Sequence, residues 1–121
     1  MAWQFNQREP VFLQIANRLR GDIICGVYSP DEQVPSVRQM ASIAGVNPNT
    51  MQKALSLLEE EGILYSKGTL GRFVTADGNI LADAKEKMRR DTVRNMLLEA
   101  RALGITEKEL IKYLEEEARQ K

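Results

Sequence analysis

The sequence predicts a mainly α-helical fold with one small β-hairpin, made of an N-terminal domain and a two-helix C-terminal extension. Two observations support this prediction: a pair of short amphipathic helices joined by a tight turn between Pro35 and Leu58, and two short β-rich runs directly after them. With 121 residues, the chain has room for one compact domain and a modest appendage. We place the domain at residues 1–77 and the extension at residues 78–121.

The composition excludes several classes of site. Without histidine, the chain has no histidine-based catalytic triad or zinc site, and no nucleophile with a partner base is recognisable. We therefore expect that the protein is not an enzyme and that it binds no metal and no cofactor. The one cysteine, Cys25, excludes an internal disulfide, and its apolar helical surroundings predict a buried, unreactive thiol. No run is long enough for a membrane span and no signal-peptide pattern opens the chain, so we expect a cytoplasmic protein.

The first segments in chain order are an arm and a helix. Residues 1–9 lack periodicity, although we expect Trp3 and Phe5 to dock on some surface, and contact with DNA or with a partner subunit stays open. Pro10 then opens a helix that Gly26 ends. Its apolar stripe consists of Phe12, Ile15, Ala16, Leu19 and Ile23. Turn residues follow, and Gln33–Val34 predicts a very short strand.

Two shorter helices come next, each with clear end signals. Ser36 and Gln39 form a capping box at the start of the first, and Gly45 suits the left-handed conformation at its end. Asn47 caps the second helix, and Pro48 fits its first position. The apolar stripes are Val37, Met40, Ala41 and Ala44, then Met51, Ala54, Leu55 and Leu58. Since helices this short need a shared core, the pattern is a helix-turn-helix.

The outward face of the second short helix suggests a function. Asn49, Gln52, Lys53 and Ser56 point away from its apolar stripe, and Asn and Gln side chains can pair with adenine edges. No acidic residue occurs from Gln33 to Leu58. These features favour contact with DNA over the alternative of an ordinary solvated helix face.

A hairpin directly follows the helix-turn-helix. Ile63–Lys67 and Arg72–Thr75 are typical of strands, and Gly68–Gly71 separates them. Such a hairpin is a wing, whose Lys67 and Arg72 can meet phosphates while Gly71 allows close approach. The alternative is a plain hairpin that only closes the core. Along the sequence, the basic residues Arg38, Lys53, Lys67 and Arg72 have no acidic residue beside them.

The extension contains two further amphipathic helices. Gly104 separates them, and Thr106 with Glu109 forms a second capping box. Because about 40 residues cannot bury both apolar stripes alone, we expect a second copy of the chain to cover them. The predicted homodimer interface consists of Leu81, Met88, Val93, Met96, Leu97, Ala100, Leu110 and Leu114. Packing onto the chain's own winged domain is the alternative.

Several motifs together resemble the GntR family of bacterial transcription factors. They are Pro10-Val11-Phe12-x-Gln14-Ile15, Pro35-Ser36-x-Arg38, the stretch from Gly45 to Ala54, and Gly71-x-Phe73-Val74. The short C-terminal remainder resembles the YtrA-like branch. The resemblance implies a winged helix-turn-helix that binds operators as a dimer. We expect DNA contacts from Ser36, Arg38, Asn47, Asn49, Thr50, Gln52, Lys53, Lys67, Gly71 and Arg72. The wing departs from the family's Gly-x-Gly-Thr-Phe, since Thr69-Leu70-Gly71-Arg72-Phe73 stands there.

The resulting hypothesis is a sequence-specific transcriptional regulator, a repressor that binds a palindromic double-stranded DNA operator as a homodimer. We expect it in the bacterial cytoplasm, associated with the nucleoid. The alternative is a winged-helix module for protein–protein contacts without DNA binding, which the formal net charge of zero favours. A small-molecule effector at the dimer interface stays open, and no residue points to one.

Overall fold

Five α-helices and one short hairpin, with a 3-10 turn at its tip (Gly68–Leu70), lie within residues 2–120, which are the residues that the computed structural model describes. In chain order they are α1 (Val11–Ile24), α2 (Val37–Ala44), α3 (Pro48–Glu60), β1 (Leu64–Ser66), β2 (Arg72–Val74), α4 (Gly78–Ala102) and α5 (Glu107–Ala118). The predicted mainly α fold with a β-wing is therefore confirmed. No helix within residues 2–120 is long and apolar enough to cross a membrane.

The chain divides into two compact units between Lys85 and Glu86. The predicted boundary at residues 77 and 78 coincides with the start of α4 instead. The difference arises because the first turns of α4 belong to the first unit, where Ile80, Leu81 and Ala84 pack against its core.

The core of the first unit lies on α3, against which both α1 and α2 pack. Its largest fully buried side chains are Ile15, Met40, Met51, Leu55, Leu58, Ile63 and Val74. The three predicted apolar stripes supply most of this set. Since α2 has only eight residues, its stability comes from this burial more than from helix propensity.

Side chains close the helix ends as the sequence predicts. The Ser36 hydroxyl accepts the Gln39 amide N–H at 3.2 Å, while Gln39 Oε1 accepts the Ser36 amide N–H at 2.9 Å. Gly45 ends α2 with φ at 74°, in the left-handed region. Asn47 Oδ1 then accepts the Asn49 amide N–H at 2.7 Å. The turn between α2 and α3 is thus specified by local chemistry.

The hairpin pairs its strands in antiparallel register, with Leu64 opposite Val74 and Ser66 opposite Arg72. The predicted strand at Gln33–Val34 is reduced to a single bridge between Gln33 and Phe73. Pro35 follows at once and cannot donate a hydrogen bond, which limits further pairing. The bridge still attaches the hairpin to the segment before α2.

The N-terminal arm docks on the helix-turn-helix, as predicted. The Trp3 amide donates to the Ala44 carbonyl at 3.1 Å, and the Arg18 guanidinium lies 4.1 Å from the centre of the Trp3 ring. Further along the arm, Gln14 Oε1 accepts the Asn6 amide N–H at 3.0 Å. The arm therefore connects the turn after α2 with the outer face of α1.

The prediction that Cys25 is buried is wrong, because its thiol is exposed. Cys25 caps the end of α1, two residues beyond Ile23, the last buried residue of the stripe. Two residues correspond to a rotation of about 200° around a helix, which turns Cys25 away from the core. Nearby apolar residues in the sequence therefore do not bury it.

The second unit is a helical hairpin with few buried side chains. Ala100 is buried, and its carbonyl accepts the Ile105 amide N–H at 2.9 Å across the turn between α4 and α5. Thr106 and Glu109 form the predicted capping box. The backbone and hydroxyl of Thr106 hydrogen-bond the Glu109 carboxylate and lower its pKa. Stability from this contact is therefore lost as pH falls through the carboxylate's folded-state pKa.

We predict that Gly45→Ala displaces the arm. A Cβ at Gly45 would lie 2.6 Å from the Ala2 Cβ, and the left-handed backbone adds about 1–2 kcal/mol of strain. Gly26→Ala is a matched control, because its φ is 86° and, apart from its chain neighbours, no atom of residues 2–120 lies within 4 Å of its Cβ position. Trp3 is the only tryptophan, so its fluorescence reports the arm directly. Equal destabilisation and unchanged emission in both variants would contradict the prediction.

Candidate nucleic-acid interface

The outward face of α3 carries the predicted base-reading side chains. Asn49, Gln52 and Lys53 are exposed, while Met51 and Ala54 on the opposite face are fully buried. Gln52 Nε2 donates to Ser56 Oγ at 3.2 Å, one helical turn further on. Because burial on one face already holds α3 in place, the exposed side chains of Asn49 and Gln52 are not needed to pack it.

Lys53 is held against α1 rather than extended into solvent. Its Nζ lies 4.1 Å from the centre of the Phe12 ring, within cation–π distance. A shallow cavity of about 340 Å³ surrounds the pair and is lined by Val11, Phe12, Asn49, Thr50 and Lys53. Thr50 is half-buried there. The start of α1 thus joins the same surface as the start of α3, which the sequence alone did not indicate.

An open groove of about 890 Å³ runs past the start of α2. Arg38 lines it and forms no ion pair with any of residues 2–120. Tyr28 lines it too, and burial together with the carboxylates of Asp22 and Glu32 raises the pKa of its hydroxyl. A concave surface with an exposed guanidinium beside a helix start suits a phosphate chain.

Two predicted contact residues serve as helix caps. Ser36 and Asn47 direct their side-chain oxygens at the amides of Gln39 and Asn49. These oxygens are consequently occupied within the chain. The structure places both residues at the edge of the candidate interface, where they orient α2 and α3.

The tip of the wing presents Lys67. Its Nζ lies 4.8 Å from the Phe73 ring centre, and the side chain is exposed. Gly71 closes the tip with φ at 110°, and a Cβ there would meet Gln33 Nε2 at 3.0 Å. Gly71 therefore permits close packing against Gln33, whose Nε2 also donates to the Leu70 carbonyl at 2.5 Å.

Arg72 has no acidic residue beside it along the sequence, but in the fold it pairs with one. Its Nε donates to Oε1 of Glu59, and only 16% of the Arg72 side chain is exposed. No pattern in the sequence predicts this pair, because it depends on where the hairpin meets α3. Glu59, Gln33 and Phe12 are thus the residues that sequence reasoning missed.

The acidic residues lie at the far end of α3 from the exposed amides. Glu59 follows Asn49 by ten positions, which corresponds to about 15 Å along a helix. Glu61 pairs with Arg20 at 2.7 Å. The zero net charge of the chain therefore does not describe the α3 face, since the acids of α3 lie at its far end.

The predicted dimer residues fall into four environments. Val93, Met96 and Leu114 are exposed, with 62%, 38% and 46% of their surface accessible. Met88, Leu97 and Leu110 are half-buried, and Ala100 is buried within the second unit. Leu81 packs on the core of the first unit instead, because the first turns of α4 belong to that unit. Exposed neighbours that the predicted interface omitted are Leu98, Leu103, Ile111 and Tyr113.

Comparison with known sequences identifies relatives over most of the chain. The chain is 32% identical over 108 residues to the HTH-type transcriptional regulator YhcF of Bacillus subtilis, covering 89% of each protein. It is 28% identical over 108 residues to the transcriptional repressor YtrA of the same organism, covering 88% of this chain and 83% of YtrA.

Solved structures agree with these relatives. A GntR family transcriptional regulator from Listeria monocytogenes superposes with a TM-score of 0.83 at 28% identity, covering 93% of this chain and 98% of that one. The AraR DNA-binding domain in complex with operator ORX1 superposes with a TM-score of 0.57 at 26% identity, covering 62% and 99%. The sequence model described as bacterial regulatory proteins, gntR family, matches residues 12–74. This chain belongs to the GntR family, and over most of its length it resembles the YtrA-like members.

Proposed function

We propose that this chain is a transcriptional regulator that binds double-stranded operator DNA sequence-specifically, as a homodimer and as a repressor. The observation that carries the proposal is the exposed, acid-free face of α3, which lies in a GntR-family winged domain. Asn49, Gln52 and Lys53 form this face. The AraR domain, which shares the fold, is described in complex with its operator. The relative YtrA is described as a repressor.

In the proposed complex, α3 enters the major groove with its N-terminal end towards the bases. Asn49 and Gln52 read base edges there, and Lys53 contacts the backbone. Arg38 holds a phosphate in the groove beside α2, and Lys67 at the wing tip contacts a second stretch of backbone. Ser36, Asn47, Thr50 and Gly71 shape this surface.

The dimer proposal rests on the apolar surface of the second unit. Val93, Leu98, Leu103 and Ile111 are each more than half exposed, although all are large and apolar. Such a concentration on one small helical hairpin is typical of an interface. An identical subunit would also place two α3 helices for two half-sites, so the operator would be palindromic.

In this proposal the protein acts in the bacterial cytoplasm, bound to the DNA of the nucleoid. It includes no catalytic role, in line with a family of regulatory proteins. The zero net charge leaves a protein-binding winged module as a second candidate. Selection of bound sites from random duplex pools separates the two, because only a DNA reader enriches a sequence. A small effector bound in the dimer interface would be detected as a change in operator affinity.

Arg38→Ala should weaken binding to all duplexes alike. The slope of log affinity against log salt is negative, and loss of one phosphate contact should make it shallower by about 1. Arg38→Lys is the control, since it keeps the charge and should keep the slope. A changed sequence preference with an unchanged slope would show that Arg38 does not act on phosphate.

Asn49→Ala and Gln52→Ala should each cost roughly 1–3 kcal/mol on the selected operator and much less on random duplex. The reason is that base-edge hydrogen bonds form only with the correct sequence. Binding titrations on both duplexes measure the difference. Equal losses on the two would mean that these residues position the helix without reading bases.

Val93→Lys should convert dimers to monomers, because a charge would be buried in the interface. Val93 is 62% exposed in the single chain, so the change should leave the chain folded. Asn79→Lys adds the same charge at an exposed position at the start of α4, in the first unit and outside the proposed interface, and is the matched control. Light scattering after size exclusion gives the mass, and operator affinity should fall with dimerisation. A wild-type monomer at micromolar concentration would refute the proposed dimer.

A further inference from the structure

A single carboxylate connects α3 to both strands of the wing. Oε1 of Glu59 accepts a hydrogen bond from the Ser66 hydroxyl at 2.9 Å and another from Nε of Arg72. Ser66 and Arg72 are cross-strand partners in the hairpin. The carboxylate therefore contacts β1 and β2 at the same residue pair of the ladder.

This residue pair lies where the wing leaves the body of the domain. The Ser66–Arg72 pair is the last in the ladder, and the tip from Lys67 to Gly71 follows directly. Backbone hydrogen bonds attach β2 to the segment before α2, such as that from the Val34 amide to the Arg72 carbonyl at 3.0 Å. Within residues 2–120, the side-chain hydrogen bonds that join α3 to the hairpin both go to Glu59.

The contact is shielded from solvent on the Arg72 side. The Arg72 side chain is 16% exposed and that of Glu59 is 31% exposed. A half-buried ion pair is screened less by salt than a surface pair. The guanidinium also pairs with a carboxylate of its own chain, whereas the exposed Arg38 forms no ion pair within residues 2–120.

We propose that Glu59 is a positioning residue that sets the wing relative to α3, and that Arg72 serves this contact instead of binding a phosphate. The proposal rests on the proposed DNA-binding function. Glu59 lies on the same helix as Asn49 and Gln52. Its bond to the wing therefore fixes the distance between the base-reading face and Lys67 at the tip.

Charge removal separates positioning from simple electrostatics. Glu59→Gln keeps the side-chain size and removes one negative charge, and Glu60→Gln removes the same charge from the neighbouring exposed position. Electrostatics alone would make both variants bind DNA more tightly. Positioning instead predicts that Glu59→Gln lowers operator affinity, by about tenfold, the usual size for one hydrogen bond to a charged group. Glu60→Gln should show no loss.

A double-mutant cycle then tests Arg72. If Arg72 acts through Glu59, Arg72→Gln should match Glu59→Gln, and the double variant should bind no more weakly than either. The salt slope of Arg72→Gln should equal that of the wild type. A salt slope that becomes shallower by about 1 would overturn the proposal, because Arg72 would then contact phosphate itself. Tighter and more salt-dependent DNA binding by Glu59→Gln would also overturn the proposal, because it would mean that Arg72, once freed from Glu59, binds DNA.

Amide hydrogen exchange on the free protein tests the proposal without DNA. The Lys67 amide, bonded to the Gly71 carbonyl at 2.9 Å, should exchange faster in Glu59→Gln. The Met40 amide in α2 should be unchanged, which excludes general destabilisation. Unaltered Lys67 exchange would overturn the proposal. Failure of the wild type to select any duplex would overturn the proposed function instead, and the exchange result would still decide whether Glu59 holds the wing.

Discussion

Burial of one face of α3 is the constraint on which the winged unit depends. Met51, Ala54 and Leu58 have no exposed surface, and the two helices before α3 both pack on this face. A helix of 13 residues is marginal by itself in water, so tertiary burial supplies its stability. The opposite face is therefore not needed to pack the core. For this reason α3 can carry the exposed amides of Asn49 and Gln52, the second of which bonds to Ser56 of the same helix.

Charge is sorted along the same helix. The N-terminal part of α3 lacks acids, whereas Glu59 and Glu61 at its other end pair with Arg72 and Arg20. Pairing neutralises the acids where they would repel a polyanion and uses them to attach α1 and the wing. A chain with no net charge can thus present a locally basic surface, since field strength depends on distribution.

The two units solve the problem of burial differently. The first buries its apolar stripes within one chain, with the arm covering the turn after α2. The second leaves large apolar side chains exposed along α4 and α5, because a two-helix hairpin has only one internal contact face. In the proposed homodimer, an identical subunit would cover these exposed side chains. The dimer would then carry two copies of α3, one for each half-site.

The sequence by itself determined the features that depend on neighbours a few residues apart. Capping boxes at Ser36 and Thr106, the left-handed Gly45 and the periodic stripes are all of this kind, because each is satisfied within one or two helical turns. Tertiary structure alone decided which charged side chains are engaged. Two examples depend on how separate elements meet: the pair of Glu59 with Arg72, and the packing of Leu81. Contacts between distant positions leave no periodic pattern in the chain, so only the packed fold determines them.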